Sequence, residues 1–373
     1  MLNKLKHVIE NSKNGNISYS EYMGIVLYDK ELGYYMKHKQ KIGKEGDFYT
    51  NSNVHSVFGK VLARIFIRLV QLKKIHPVIC EIGAGTGRLA NFILEEWKKV
   101  DPDSFKQLKY IIVEISPYHR EEQRKVIRSF EKVQQFSSLT EMVNHLGKFN
   151  GIILANELFD AFPVDVVQKV NGEMVEVRIT FENNQLVETF VPCKNEEIFN
   201  WLEQNGIVLT NGQRMEIPLN MDHWLEETNA WLEKGIMFTI DYGYTKEEWM
   251  HPIHREGSLR GYYKHQIIKN PLSYPGDMDL TTHIHLDALI QKGEQVGLKL
   301  LGMLNQREFL LKGGILNYLQ ENSDPNPFSE ISRQNRAIRS LIMDDGISSS
   351  FTVLIQSKNA DQIILSDILV DDY

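Results

Sequence analysis

An α/β architecture on a mostly parallel sheet is what this chain of 373 residues predicts. Two observations carry that expectation. Between Pro77 and Phe162, short apolar runs alternate with amphipathic stretches at the spacing of βαβ units. The first of those runs, HPVICEIGAG, ends in glycines and is followed at once by a helical pattern, the layout of a ligand-binding turn at the open edge of a parallel sheet.

Taken in order, Leu2, Leu5, Val8 and Ile9 form one apolar stripe of a first helix. SYSEYMGIVLYDKELGYY reads as a second helix capped by Ser18 or Ser20. KIGKEGDFYTNSNVHSV is rich in Gly, Asn and Ser and reads as a loop, after which FGKVLARIFIRLVQLKK returns to helical spacing. The period then changes to strands and helices in alternation: VICEI, RLANFILEEWKKV, LKYIIVEIS, SPYHREEQRKVIRSF, KVQQF, LTEMVNHL and GIILAN. VDVVQKV, EMVEVRITF and QLVETFV are β-rich and separated by Asn171-Gly172 and Asn183-Asn184, which predicts an inserted set of antiparallel hairpins. EEIFNWLEQNG and DHWLEETNAWLEKG read as helices around the strand QRMEIPL, and GIMFTIDYGY as a buried strand. Residues 245–284 hold many Gly, Pro, His and Tyr and no clear period, so they read as one long irregular segment. HLDALIQKGEQVGL, REFLLKGGILNYLQ and FSEISRQNRAIRSLIM close the chain as helices, with KLLGMLN and FTVLIQSK as strands.

Composition narrows the function classes. A net charge of −7 argues against a nucleic-acid binder and allows a small-molecule substrate or a basic protein partner. Two cysteines, Cys80 and Cys193, cannot make a disulfide framework, which points to a reducing compartment. The first residues mix charge with apolar positions and lack a signal-peptide core, and no run approaches the roughly 20 apolar residues of a membrane helix. The expectation is a cytoplasmic protein with no membrane partner.

The sharpest motif is Glu81-Ile-Gly83-Ala-Gly85-Thr-Gly87, between strand and helix. Glycines there allow a tight turn and close backbone approach to a ligand, and the helix start beyond presents free N–H groups. A dinucleotide site needs its third glycine one position later, where Arg88 stands, so NAD fits poorly. An acid before G-x-G-x-G matches S-adenosylmethionine enzymes instead, with the ligand's amino-acid end on the turn and the acid near its amino group. Glu114, at the end of the next strand, can accept both hydroxyls of a ribose. Asn156 and Glu157, in the run NELFDAFP after the fourth strand, border the same crevice. The bland reading of each is an ordinary turn, a strand-end acid or a capped loop.

Together GDFYTNSNVHSVFGK, CEIGAGTGRLA, VEIS, ANELFDAFPVDV, FTIDYGY, SLRGYYKHQ, PGDMDLTTHIHLDAL and NQREFLL resemble the MidA-like methyltransferases, from about residue 18 to 355. This family includes the mitochondrial complex I assembly factor that acts on an arginine. The resemblance implies a class I, Rossmann-like methyltransferase fold with a mostly parallel seven-stranded sheet, whose last two strands pair antiparallel. It implies S-adenosyl-L-methionine as donor, Gly83, Gly85 and Gly87 against it, Glu114 on its ribose, and Asp47, Phe48 and Thr50 closing over the site. Asn51, Ser52 and Asn53 stand where many members have Ser-Pro-Glu. The mitochondrial members carry a targeting segment; this chain begins almost at its first helix, and a bacterial-type cytoplasmic member is the simpler reading. The expected organisation is an N-terminal helical region over 1–75, a catalytic part over 76–163 and 207–358, and an inserted β and helix segment over 164–206.

If the acceptor is an arginine, its guanidinium, with a pKa above about 12, is a poor nucleophile. A carboxylate can hold it bidentately and take the proton as the new bond forms. Glu157 is the first candidate, with Asp160 and Asp241 behind it. Arg260, Tyr262, Tyr263, His265, Asp277, Asp279, Thr282 and His283 belong to shared motifs of the resemblance without fixed roles. His283 and His285 would share one face of a strand, but no third ligand stands at metal-site spacing, so no metal is expected. The expected partner is a protein substrate, with a homodimer as the assembly to test. A small-metabolite methyltransferase and a catalytically silent assembly or scaffold protein are the alternatives. Intact glycines and Glu114 argue against the silent protein.

Overall fold

A computed structural model describes residues 1–39, 41, 56–321, 326–343 and 350–369. Asp47, Phe48 and Thr50 lie outside the described residues. The chain divides into two compact units: Met1–Phe48, Phe159–Glu226 and Gly243–Lys292 form one, and Tyr49–Leu158, Glu227–Tyr242 and Gly293–Tyr373 the other.

The second unit holds the parallel sheet. Its strands run Lys299–Asn305, Phe351–Lys358, Leu232–Tyr244, Phe149–Asn156, Val78–Ile82, Lys109–Val113 and Val133–Phe136 across the sheet. Neighbours from Leu232–Tyr244 to Val133–Phe136 are parallel, and the two late strands pair antiparallel as expected. Among the described residues the sheet counts eight strands rather than the expected seven. The addition is Ile284–His285, which pairs with Gly243 and Tyr244 and is too short to leave a periodic signal.

Strand order reverses at Val78–Ile82, which lies between Lys109–Val113 and Phe149–Asn156. Connections leave to opposite sides there, and a crevice opens at the carboxyl ends of the strands. Val57–Gln71 and Arg88–Val100 turn apolar faces onto one side of this sheet, burying Phe66, Ile93 and Trp97 with Ile152, Phe238 and Val353. Gly151 and Gly235 leave no room for a side chain. A Cβ on Gly151 would stand 2.4 Å from the Val78 carbonyl oxygen, and one on Gly235 2.3 Å from that of Gly151.

In the first unit, Leu2–Asn11 and Tyr19–Tyr28 pack Leu5, Ile9, Tyr22 and Val26 against Val166, Val177 and Ile179. Ser18 caps the second helix through a capping box with Glu21. The hairpin turns sit where expected, with Asn171, Asn183 and Asn184 in left-handed backbone. Their strands join Ile17–Ser18 and Arg214–Ile217 in one five-stranded sheet, so partners from far along the chain complete what reads as a self-contained insertion. The segment expected to be irregular contains a three-stranded antiparallel sheet of Arg260–Tyr263, Gln266–Ile268 and Asp279–Thr281. Strands this short carry too few residues for alternation to show. REFLLKGGILNYLQ is likewise not one helix: it ends at Lys312, and a 3₁₀ turn follows from Ile315.

Two glycine substitutions separate these environments. Gly24 lies within Tyr19–Tyr28, and a Cβ there meets nothing within 4 Å. Gly24→Ala is expected to stabilise by about 0.5–1 kcal/mol. Gly151→Ala is expected to destabilise by about 1–3 kcal/mol, because backbone must move. Thermal unfolding midpoints of the two variants should shift in opposite directions.

Candidate functional site

Four strand ends meet along the crevice edge of the second unit. Ile82 pairs with Val113 on one side and Ala155 on the other, and Asn156 pairs with Ile240. This register brings together the glycine turn, Glu114, Asn156, Glu157 and Asp241.

The turn needs its glycines. Gly83, Gly85 and Gly87 have φ of 73°, 52° and 78°, the left-handed region where a Cβ is strained. At Gly87 a Cβ would also stand 2.8 Å from Gln123 Cγ. Gly87 is the N-cap of Arg88–Val100. Among the described residues no side chain makes a capping hydrogen bond at this helix start, which leaves its first amides for a ligand's negative group.

Glu114 points back at the turn. Its Oε2 accepts from the Gly85 amide at 3.0 Å and its Oε1 from the Ser116 amide at 2.9 Å. A carboxylate has about four acceptor positions, so two N–H donors leave room for a pair of hydroxyls. Gln123 secures the other side of the turn: its Nε2 donates to the Gly85 carbonyl at 2.8 Å, while its Oε1 accepts from Gln135 at 2.6 Å. Sequence reading missed Gln123. Its only signal is its place on the helix that follows Glu114.

Glu81 is 2% exposed, and the Tyr110 hydroxyl donates to its Oε2 at 2.6 Å. Burial pushes its carboxyl up to about 8; the Tyr110 hydrogen bond opposes the rise and the nearby charge of Glu114 adds to it. Glu81 therefore keeps its proton near neutral pH in the ligand-free protein.

Asn156 Nδ2 lies 3.3 Å from Glu157 Oε1, and Asn156 Oδ1 is buried without a hydrogen-bond partner among the described residues. Glu157 has a φ of 50°, uncommon for a non-glycine residue, and its amide donates to the Ile240 carbonyl at 2.8 Å. Asp241 is fully buried, and its Oδ1 accepts from the Tyr242 amide at 2.9 Å.

Asp160 belongs to the other unit. It lies in the 3₁₀ turn Phe159–Ala161, buried, and its carbonyl accepts from the Thr282 amide at 2.9 Å. Burial first, then the charges of Asp279 and Asp160 among its neighbours, hold the Tyr35 hydroxyl well above its ordinary range, and that hydroxyl donates to Asp279 at 2.7 Å. In the same unit Arg260 reaches His283 at 3.1 Å. His283 stacks on Tyr244 at 4.2 Å, whereas His285 stacks on Trp249 at 4.3 Å and contacts the Glu216 carbonyl at 2.8 Å. Each histidine thus has its own aromatic partner, and burial pushes both pKa values down to about 3. Both rings stay neutral at physiological pH.

The raised Glu81 carboxyl has a stability consequence. The unfolded chain ionises this group near 4.5, while the folded chain holds the proton up to about 8. Its contribution is intact below pH 4.5 and is lost as pH rises through the folded value. Glu81→Gln is expected to remove that loss, so the variant's advantage in thermal unfolding grows between roughly pH 5 and 8 and then levels off. A difference that stays flat with pH counts against a buried, protonated Glu81.

Comparison with known proteins gives these features a family. Residues 61–304 match the model of the family described as "Putative S-adenosyl-L-methionine-dependent methyltransferase". The chain is 25% identical over 302 residues to the mitochondrial protein arginine methyltransferase NDUFAF7 homologue of Drosophila melanogaster, covering 72% of this chain and 65% of that protein. To mitochondrial NDUFAF7 of Rattus norvegicus it is 25% identical over 338 residues, covering 83% and 74%. Among solved structures, a Burkholderia thailandensis protein crystallised with S-adenosyl-homocysteine superposes with a TM-score of 0.88 at 27% identity, over 99% of this chain and 94% of that one. The expectation of a cytoplasmic protein is corrected here: the curated relatives are named as mitochondrial, which conflicts with it.

Proposed function

We propose that this chain, which belongs to the S-adenosyl-L-methionine-dependent methyltransferase family, methylates a protein side chain, arginine being the acceptor. The observation that carries the cofactor half is the Glu114 carboxylate turned onto the Gly85 amide, beside three left-handed glycines and a helix start with no side-chain capping bond among the described residues. Support for the acceptor half comes from the arginine methyltransferase names of the relatives.

On this reading Gly83, Gly85 and Gly87 bear the amino-acid end of the cofactor and Glu114 takes its ribose hydroxyls. Glu81 faces its ammonium, whose charge would draw the raised carboxyl back toward ionisation. Asn156 Oδ1 offers a buried acceptor next to the reacting atoms. Asp47, Phe48 and Thr50 keep the closing role that the family resemblance gives them. The division into residues 1–75, a catalytic part of 76–163 and 207–358, and a segment of 164–206 is the matching functional partition.

The bound cofactor supplies a methyl group on a sulfonium, which departs as a neutral thioether. The chain's part is to orient the acceptor nitrogen in line and exclude water. As the nitrogen–carbon bond forms and the carbon–sulfur bond breaks, the nitrogen must shed a proton. Glu157 stands nearest that task among the strand-end acids, with Asp241 as its neighbour on the next strand. Asp160, the remaining acid of the sequence reading, belongs to the other unit.

Two variants divide binding from chemistry. Glu114→Gln is expected to weaken S-adenosyl-homocysteine binding by about tenfold or more in calorimetry, because a charged acceptor of hydroxyl donors is lost. Glu157→Gln is expected to leave that affinity within about twofold while slowing methyl transfer by about 100-fold, the scale of a general base. Transfer of labelled methyl from the donor to cell-lysate protein, followed by mass spectrometry of the modified residue, tests the acceptor. Label confined to a low-mass fraction would replace arginine with a metabolite.

A further inference from the structure

His119 holds the third position of the helix Pro117–Val126 and is 4% exposed. Its Nδ1 lies 3.8 Å from Glu114 Oε1, within ion-pair range but too long for a hydrogen bond. Its Nε2 is buried and has no hydrogen-bond partner among the described residues. An apolar side chain would fill this space without orphaning a polar atom, so packing alone gives no reason for an imidazole.

Orphaned buried N–H groups are rarer than under-satisfied acceptors, so Nδ1, which faces the Glu114 carboxylate, carries the N–H.

We infer that His119 is a positioning residue for the cofactor: its Nδ1–H closes onto Glu114 Oε1 when the carboxylate takes the two vicinal hydroxyls of a ribose. The inference rests on the proposed role of Glu114. A shift of roughly 1 Å brings the pair to hydrogen-bond length. The need for such a donor follows from the two contacts already present. Oε1 is held by the Ser116 amide and Oε2 by the Gly85 amide, one on each oxygen. Two incoming hydroxyls pull on the same group. A third protein donor on Oε1 keeps the carboxylate from rotating away from the glycine turn as they arrive. His119 reaches that oxygen because Ser116 accepts from the His119 amide at 3.3 Å, which ties the ring's backbone to the residue that already holds Glu114.

The test is calorimetry on the full chain with S-adenosyl-homocysteine and with its analogue lacking both ribose hydroxyls. His119→Leu keeps bulk and removes the donor. In His119→Asn the carboxamide nitrogen falls close to the position of Nδ1. The expected result is an about tenfold weaker S-adenosyl-homocysteine complex for His119→Leu, with recovery to within about threefold for His119→Asn. On the dideoxy analogue, wild type and His119→Leu should bind equally. His119→Leu binding S-adenosyl-homocysteine as tightly as wild type overturns the inference. So does an equal loss on both ligands, which would mark a packing role. Where the Leu variant fails to fold, His119→Gln, with its nitrogen near the Nε2 position, replaces it under the same two criteria. Folded wild type that binds no S-adenosyl-homocysteine would bring down the cofactor reading itself, whereas failure at His119 alone leaves the Glu114→Gln loss standing.

Discussion

The hydrogen bond from the Gly85 amide to the Glu114 carboxylate ties together two adjacent strand ends, and the crevice edge is organised around it. Both backbone groups of Gly85 are taken by the neighbouring βα unit, the amide by Glu114 and the carbonyl by Gln123. The loop closes on itself. Glu114 accepts from Ser116, Ser116 caps the helix Pro117–Val126, and that helix carries Gln123 back to the turn. One carboxylate thus sets where the helices Arg88–Val100 and Pro117–Val126 begin. Loss of the acid would orphan two amides at once, each costing about 1–3 kcal/mol where it stays buried.

Glu81 and Glu114 lie on neighbouring strand ends and show how environment separates like groups. Glu114 is met by two backbone N–H donors, whereas Glu81 accepts from one phenol. Burial then outweighs the single hydrogen bond and keeps the Glu81 proton in place to about pH 8. On the proposed reading this proton is released when a cationic ligand arrives, so binding and titration at Glu81 are linked. The sequence pattern of an acid before the glycines says where Glu81 is; it says nothing of its protonation, which depends on Tyr110 reaching over from the next strand.

Legibility in the sequence follows the range of the interactions. The glycine turn, the strands around it and the Asn-Gly and Asn-Asn turns were readable because their causes are local: φ signs, apolar runs and turn chemistry. The antiparallel pairing of Lys299–Asn305 with Phe351–Lys358 came from family resemblance and not from any local signal. The sheet of Arg260–Tyr263, Gln266–Ile268 and Asp279–Thr281 was not readable, since its order depends on partners as far apart as Arg260 and Thr281. Gln123 and His119 were passed over for the same reason. On a helix both look like surface polar residues, and only the fold turns them toward Gly85 and Glu114. Asp160 shows the converse limit of local reading. Four residues after Asn156 in sequence, it reads as part of one motif, yet it packs within a different unit, beside Asp279 and Tyr35.

Glu157 carries the last step. A residue in left-handed backbone costs roughly 1 kcal/mol unless it is glycine, and nothing in the main-chain geometry here calls for a side chain. Its amide bond to Ile240 extends the parallel pairing by one residue before the chain turns, and glycine would make that same bond without strain. Retaining a glutamate therefore spends stability on the carboxyl itself. The turn also fixes where that carboxyl goes, close to Asn156 and at the end of the strand where the crevice opens. A strained backbone under an acid, beside a buried carboxamide oxygen that no described residue bonds, distinguishes this strand end from its neighbours, and on the proposed reading it puts Glu157 ahead of Asp241 for moving the proton.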